Sequence, residues 1–146
     1  MRPATAGGRA TRSSFGNADE DDAGRTRPEL IILIADDHAE MRRTIRSVVH
    51  DLASVVHECA DGAAALTACL EQRPDWVLMD IEMRGMDGLE ATRAIRQACP
   101  GVRVCIVSNH DDVRLREAAR AAGACAYVHK EELLALRTIL SIRTST

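Results

Sequence analysis

The chain has 146 residues, 46% of them hydrophobic, 28% charged and 2% aromatic, with a formal net charge of −3. That length suffices for one globular domain, and the acidic balance argues against a phosphate-backbone ligand, which requires a clustered basic surface. No stretch approaches the roughly 18 to 20 consecutive apolar residues of a membrane span, and no apolar core of a secretory signal opens the chain, so a cytoplasmic location without membrane contact is expected.

Residues 1 to about 28 are rich in Gly, Ala, Ser, Thr and Arg around the acidic run Asp19-Glu20-Asp21-Asp22. Such a segment buries too little apolar surface to offset its ordering entropy and is expected to be a disordered tail. From Leu30 the pattern changes. Leu30-Ile31-Ile32-Leu33-Ile34 is a continuous aliphatic run ended by Asp36-Asp37, the pattern of a strand buried on both faces. Met41, Ile45, Val48, Val49 and Leu52 then repeat at helical spacing, which predicts an amphipathic helix over about 38–51. Val55-Val56 begins a second strand, Asp61-Gly62 turns into an Ala-rich helix that stops near Pro74, and Trp76 to Met79 is a third strand ending at Asp80. Gly85 and Gly88 punctuate a loop before a helix from Leu89 to Cys99, closed by Pro100-Gly101. Val102 to Val107 is a fourth strand ending at Ser108. Asp111 or Asp112 can cap a helix running to Gly123, Cys125 to Val128 is a fifth strand ending at Lys130, and Glu131 to about Ile142 is a last helix. Five such units predict a doubly wound parallel α/β sheet with helices on both faces. The five cysteines, Cys59, Cys69, Cys99, Cys105 and Cys125, are odd in number and contain no C-x-x-C pair, so they read as small hydrophobes in a reducing compartment.

In an open parallel sheet, sites form at the carboxyl ends of the strands. The polar residues at those ends are Asp36, Asp37, Asp80, Ser108 and Lys130, the last being the one lysine among 19 basic residues. Three adjacent carboxylates repel one another unless a cation balances them. Their oxygen donors suit a hard divalent ion such as Mg²⁺ completed by water and a phosphate. Lys130 offers a point charge to a phosphoryl oxygen and Ser108 a hydroxyl. A carboxylate can accept a phosphoryl group covalently, and Asp80, ending the central strand, is the best placed nucleophile.

These residues resemble a known family. The pair Asp36-Asp37 after a strand, the string Leu78-Met79-Asp80-Ile81-Glu82-Met83 continuing to Met86-Asp87-Gly88-Leu89-Glu90, Ser108 after strand four, and Tyr127-x-x-Lys130 together resemble the receiver domain of two-component response regulators. The similarity covers residues 29 to about 142. In texture it is nearest to receivers that precede a LuxR-type (NarL-type) DNA-binding domain. The resemblance implies a flavodoxin-like (βα)5 fold with strand order 2-1-3-4-5, occupying residues 29–146 after the 1–28 tail. It also implies that Asp80 is the phosphoacceptor and that Asp37, Asp80 and the backbone carbonyl of Glu82 hold Mg²⁺, with Asp36 acting through water. Lys130 matches the phosphate-binding lysine, Ser108 the switch hydroxyl and Tyr127 the switch aromatic. Such a domain takes its phosphoryl group from a histidine kinase or phosphotransfer protein. It catalyses its own phosphorylation and dephosphorylation, and controls a protein target or a homodimer through the face of helix four, strand five and helix five, with no direct nucleic-acid binding.

Blander roles stand beside these. Asp37 could be a helix N-cap, Lys130 a solvated residue at a helix entrance, and Tyr127 an edge-strand aromatic with a hydrated hydroxyl. His38, His110 and His129 lack metal-ligand spacing and read as surface or loop histidines. Asp87-Gly88 builds a turn. Arg84 stands where the family usually has a proline, Asn109 where a smaller residue is common, and Glu82 and His110 flank the expected route of attacking water. Three alternatives remain at this level. One is the receiver half of a LuxR-type transcription factor lacking its DNA-binding domain, since only four residues follow Ile142. Another is a degenerate, phosphorylation-independent binding module. The last is a flavin protein, disfavoured by the acidic rim.

Overall fold

The structure is a computed structural model and describes residues 30–142; the expected tail lies outside the described residues. Five strands alternate with five helices: β1 (Ile31–Ala35), α1 (Ala39–Val49), β2 (Val55–Cys59), α2 (Gly62–Gln72), β3 (Trp76–Met79), α3 (Gly88–Ala98), β4 (Arg103–Ser108), α4 (Val113–Ala122), β5 (Ala126–His129) and α5 (Ala135–Ser141). All strand pairings are parallel, and the order is β2-β1-β3-β4-β5. This is the flavodoxin-like topology expected from the sequence.

Side chains alternate across a strand, and here the alternation divides the core in two. Leu33, Ala35, Val77, Met79, Val104 and Ile106 face a layer that includes Ala65, Ala91, Ile95 and Ala119 from α2, α3 and α4. Ile32, Ile34, Trp76, Leu78, Cys105 and Val107 face Ile45, Val49, Leu136 and Leu140 from α1 and α5. Strands buried on both faces need apolar residues throughout, which is why β1 and β3 read as unbroken hydrophobic runs and β4 as one from Val104 to Val107.

Local chemistry sets the helix ends. Asp61 accepts a hydrogen bond from Ala64 N (2.8 Å) and caps α2. Asp87 accepts from Leu89 N and Glu90 N, and Glu90 returns a capping box at α3. Asp112, and not Asp111, caps α4 through Leu115 N (2.8 Å). Gly123 ends α4 at φ 109°, in the left-handed region where a side chain is strained.

The blander role for Asp37 falls away, since His38 and not Asp37 holds the N-cap position of α1, without a side-chain cap. One expectation needs correction. The last helix does not begin at Glu131; Lys130–Glu132 form a 3-10 turn, and α5 starts at Ala135. The cause is local: His129 Nδ1 accepts from Glu131 N (3.0 Å), and Leu136 N and Arg137 N bond back to Leu133 O and Leu134 O in i to i−3 fashion. Arg137 then ties α5 to the end of α1, donating to Val48 O (2.9 Å) and to both Asp51 carboxylate oxygens (2.7 and 3.0 Å).

Candidate functional site

Sheet register assembles the site. Ala35 pairs with Met79, and Met79 with Ile106, so Asp36 and Asp80 leave adjacent strands at the same level. Ser108 pairs with His129, which puts Lys130 next on the same rim. Asp36, Asp80 and Ser108 are, with Thr92 of α3, the buried polar side chains among the described residues, each no more than 5% exposed.

The Lys130 ammonium lies 3.0 Å from Asp36 Oδ2 and 3.2 Å from Asp80 Oδ1, with its side chain 6% exposed. That geometry excludes a solvated lysine at a helix entrance. Burial, together with the charges of Asp36 and Asp37, pushes the Asp80 carboxyl above the usual range, against the pull of Lys130. For Lys130, burial acts to lower the pKa, but the Asp36 and Asp80 carboxylates outweigh it and hold the ammonium above its ordinary value.

Carboxylate oxygens of Asp36, Asp37 and Asp80 and a ring nitrogen of His38 all lie within 4.8 Å of one another. Asp36 Oδ2 and Asp37 Oδ1 are sealed from solvent without a hydrogen-bond partner; their near neighbours are the Lys130 ammonium and His38 Nδ1, the latter 3.0 Å from Asp37 Oδ1. Three carboxylates converging with one ammonium leave an excess of negative charge and of oxygen acceptors, which fits a hard divalent cation. His38 is 74% exposed, a surface histidine as the sequence suggested, yet it also stands at the mouth of this cluster. Its adjacency to Asp36-Asp37 was the available signal. The Glu82 carboxylate is not in the cluster; it points outward to His110 Nε2 at 2.9 Å.

Ser108 and Tyr127 meet at His110. Ser108 Oγ accepts from His110 N (3.0 Å), and Tyr127 Oη donates to His110 O (2.7 Å). The Tyr127 hydroxyl is therefore bonded to protein. The Arg116 guanidinium sits 4.7 Å from the Tyr127 ring centroid and is anchored by Asp111 Oδ1 at 2.8 Å. His110 thus links the loop after β3, the end of β4 and the aromatic of β5.

Behind the acid pair, Glu58 of β2 receives Arg42 Nε (3.1 Å) and Arg46 Nε (2.6 Å). Arg46 first, and then Arg42, hold its carboxyl below the usual range against the opposing effect of burial. Arg42 Nη1 also donates to Asp36 O at 2.6 Å, a contact that no sequence spacing announced.

The loop after β3 folds back over Asp80. Gly88 N donates to Ile81 O (2.8 Å), and a Cβ at Gly88 would collide with the Asp80 carbonyl and lie 2.8 Å from Ile81 Cα. Gly88→Ala is therefore expected to destabilise the fold by about 1–3 kcal/mol, despite a gain in helix propensity of about 1 kcal/mol. Gly101→Ala, with nothing within 4 Å of the added carbon, should be close to neutral; paired urea denaturations check both.

A family model described as the response regulator receiver domain matches residues 32–140. The chain belongs to this family. This receiver domain is similar to the response regulator UvrY of Escherichia coli K12, 34% identical over 117 residues, 75% of this chain and 54% of that protein. It is also similar to the transcriptional activator protein ExaE of Pseudomonas putida, 36% identical over 101 residues, 68% of this chain and 47% of that protein. The receiver thus spans about half the length of the curated relatives it matches. Among solved structures, a two-component response regulator of the LuxR family from Aurantimonas sp. SI85-9A1 aligns with TM-score 0.69 at 32% identity, covering 78% of this chain and 86% of that one. A LuxR-family DNA-binding response regulator from Staphylococcus aureus aligns with TM-score 0.68 at 29% identity, covering 75% and 95%. Among the described residues, no helix of the receiver is long and apolar enough to cross a membrane.

Proposed function

We propose that this receiver is a phosphorylation switch of a two-component system, accepting a phosphoryl group on Asp80 from a histidine kinase or phosphotransfer protein. The observation that carries the reading is the meeting of Lys130 with Asp36 and Asp80 at 3.0 and 3.2 Å beside a third carboxylate. An Asp80 carboxylate oxygen attacks phosphorus in line; the new P–O bond replaces the P–N bond of a phosphohistidine, and the released imidazole nitrogen keeps the electron pair and takes up a proton. Asp37 and Asp80, with the Glu82 carbonyl and with Asp36 acting through water, would hold Mg²⁺, which supplies countercharge to the phosphoryl oxygens when bound.

Lys130 now shares its charge between two carboxylates. Once Asp80 becomes an acyl phosphate, Lys130 keeps Asp36 and gains the phosphoryl oxygens as partners. Ser108 Oγ accepts a bond from His110 N, so its own proton is free to donate to the phosphoryl group. Drawing Ser108 inward pulls on His110, and through the His110 carbonyl on Tyr127. The α4–β5–α5 face then favours a state in which it binds a protein target or a second copy. We place the protein in the cytoplasm, where such kinases present their phosphohistidine.

A second reading concerns only the output. The match to about half of each longer relative, one named a transcriptional activator, favours a receiver that works as the regulatory half of a LuxR-type transcription factor. The acid site is common to both readings.

To test the proposal, the full chain is incubated with acetyl phosphate in Mg²⁺ or in EDTA and its intact mass followed. One added phosphoryl group is expected in Mg²⁺ and none in EDTA, with borohydride reduction marking residue 80. An unchanged mass in both would leave the degenerate binding module as the better account.

A further inference from the structure

Residues 36–38 lie between the end of β1 at Ala35 and the start of α1 at Ala39, so they belong to neither hydrogen-bonding ladder's interior. Asp36 N is tied to the sheet edge through Cys59 O at 3.1 Å. The Asp36 carbonyl, pointing into α1, takes its hydrogen bond from a side chain: Arg42 Nη1 at 2.6 Å. The same guanidinium gives Nε to Glu58 Oε1 at 3.1 Å, and its side chain is only 20% exposed. A planar fork held at two points fixes the peptide it touches far better than a flexible single donor does. Arg46 supplies an internal comparison. It binds the other Glu58 oxygen at 2.6 Å and Val56 O at 3.1 Å, and so braces β2 without reaching Asp36.

Resting on the reading of the acid cluster as a Mg²⁺ site, we propose that Arg42, braced by Glu58, is a positioning residue. It fixes the Asp36-Asp37 backbone so that both carboxylates converge with Asp80 on the cation. Asp36 Oδ1 accepts from His38 N at 2.9 Å and Asp36 Oδ2 faces the Lys130 ammonium at 3.0 Å, whereas Asp37 Oδ1, sealed from water, has only the exposed His38 ring 3.0 Å away. The bond from His38 N and the placing of Asp37 both depend on the course of the backbone through residues 36–38, and Arg42 is the side chain that holds that backbone at Asp36 O. Partners behind ligands typically matter by 10–100-fold in metal affinity.

The experiment titrates Mg²⁺ against the thermal unfolding midpoint of the full chain, since a ligand bound only by the folded state raises the midpoint according to its affinity. Arg42→Ala is expected to weaken Mg²⁺ about tenfold. Arg46→Ala, which removes the other brace on Glu58, should lower the metal-free midpoint while leaving the Mg²⁺ dependence at the wild-type value. If Arg42→Ala does not fold, Arg42→Lys, which keeps the charge but cannot span both acceptors, gives the same result at smaller amplitude. Wild-type Mg²⁺ affinity in either Arg42 variant, or an equal loss in Arg46→Ala, overturns the positioning role. A wild-type chain that shows no Mg²⁺ response at all instead rejects the metal reading itself.

Discussion

Asp80→Asn is expected to abolish Mg²⁺-dependent phosphorylation and at the same time to stabilise the metal-free protein at neutral pH. The first effect is all or none, because an amide nitrogen or oxygen cannot form the acyl phosphate under these conditions. The second follows from the site's charge. In the fold, burial and the neighbouring Asp36 raise the Asp80 pKa, so the native state favours the protonated carboxyl. A group with a raised folded-state pKa contributes stability below its unfolded value and loses it as pH rises through the folded one. Metal-free wild type should therefore lose stability as pH climbs from the ordinary carboxylate range to that raised value, whereas Asp80→Asn should lack this component. Mg²⁺ should narrow the difference by stabilising wild type more than the variant. Thermal unfolding between acid and neutral pH, in EDTA and in Mg²⁺, measures all of this; a variant less stable than wild type at neutral pH in EDTA would contradict it.

Lys130→Met carries the opposite sign. It replaces the ammonium by an apolar chain of similar length and leaves Asp36 and Asp80 buried without their cation. Breaking a buried pair from one side generally costs about 3–5 kcal/mol, because the remaining charge is uncompensated. The carboxylates can respond by taking up a proton, so the loss should shrink as pH falls, and Mg²⁺ should recover part of it. Urea denaturation near neutral and mildly acidic pH, with and without Mg²⁺, tests the prediction. A loss within the error of a surface substitution, unaltered by pH, would mean that the ion pairs contribute nothing to the fold.

Most of the fold was legible because the central strands are buried on both faces. The runs at Ile31–Ala35 and Trp76–Met79 could be little else, and Asp112 was one of two candidate caps, while Asp61 and Asp87, legible only as turn residues, prove to cap α2 and α3. The edge strand β2 was only half visible, since its partly exposed His57 and Glu58 interrupt the apolar signal. The late start of α5 was hidden because Glu131-Glu132-Leu133-Leu134 favours a helix by local propensity, while the bond that Glu131 N donates to the His129 ring favours a tighter turn. At the site, Asp36, Asp80, Ser108 and Lys130 could be read as strand-end residues because parallel register brings such ends together. Arg42 could not. One arginine among 18 looks like any other, and its bond to Asp36 O depends on how α1 crosses the sheet. The His110 junction was equally silent, being made largely by backbone groups.

The chain's one lysine is the one at the heart of the site, buried at 6% exposure and paired with two acids. Acylating reagents that seek side-chain amines therefore have one target here, and it is shielded from attack both by its protonation and by the walls around it. Its rate of modification becomes a footprint of how often the rim breathes open. By the same token, acetylation of a lysine side chain within these 146 residues would strike the ion pair directly, leaving no harmless position among them to absorb it.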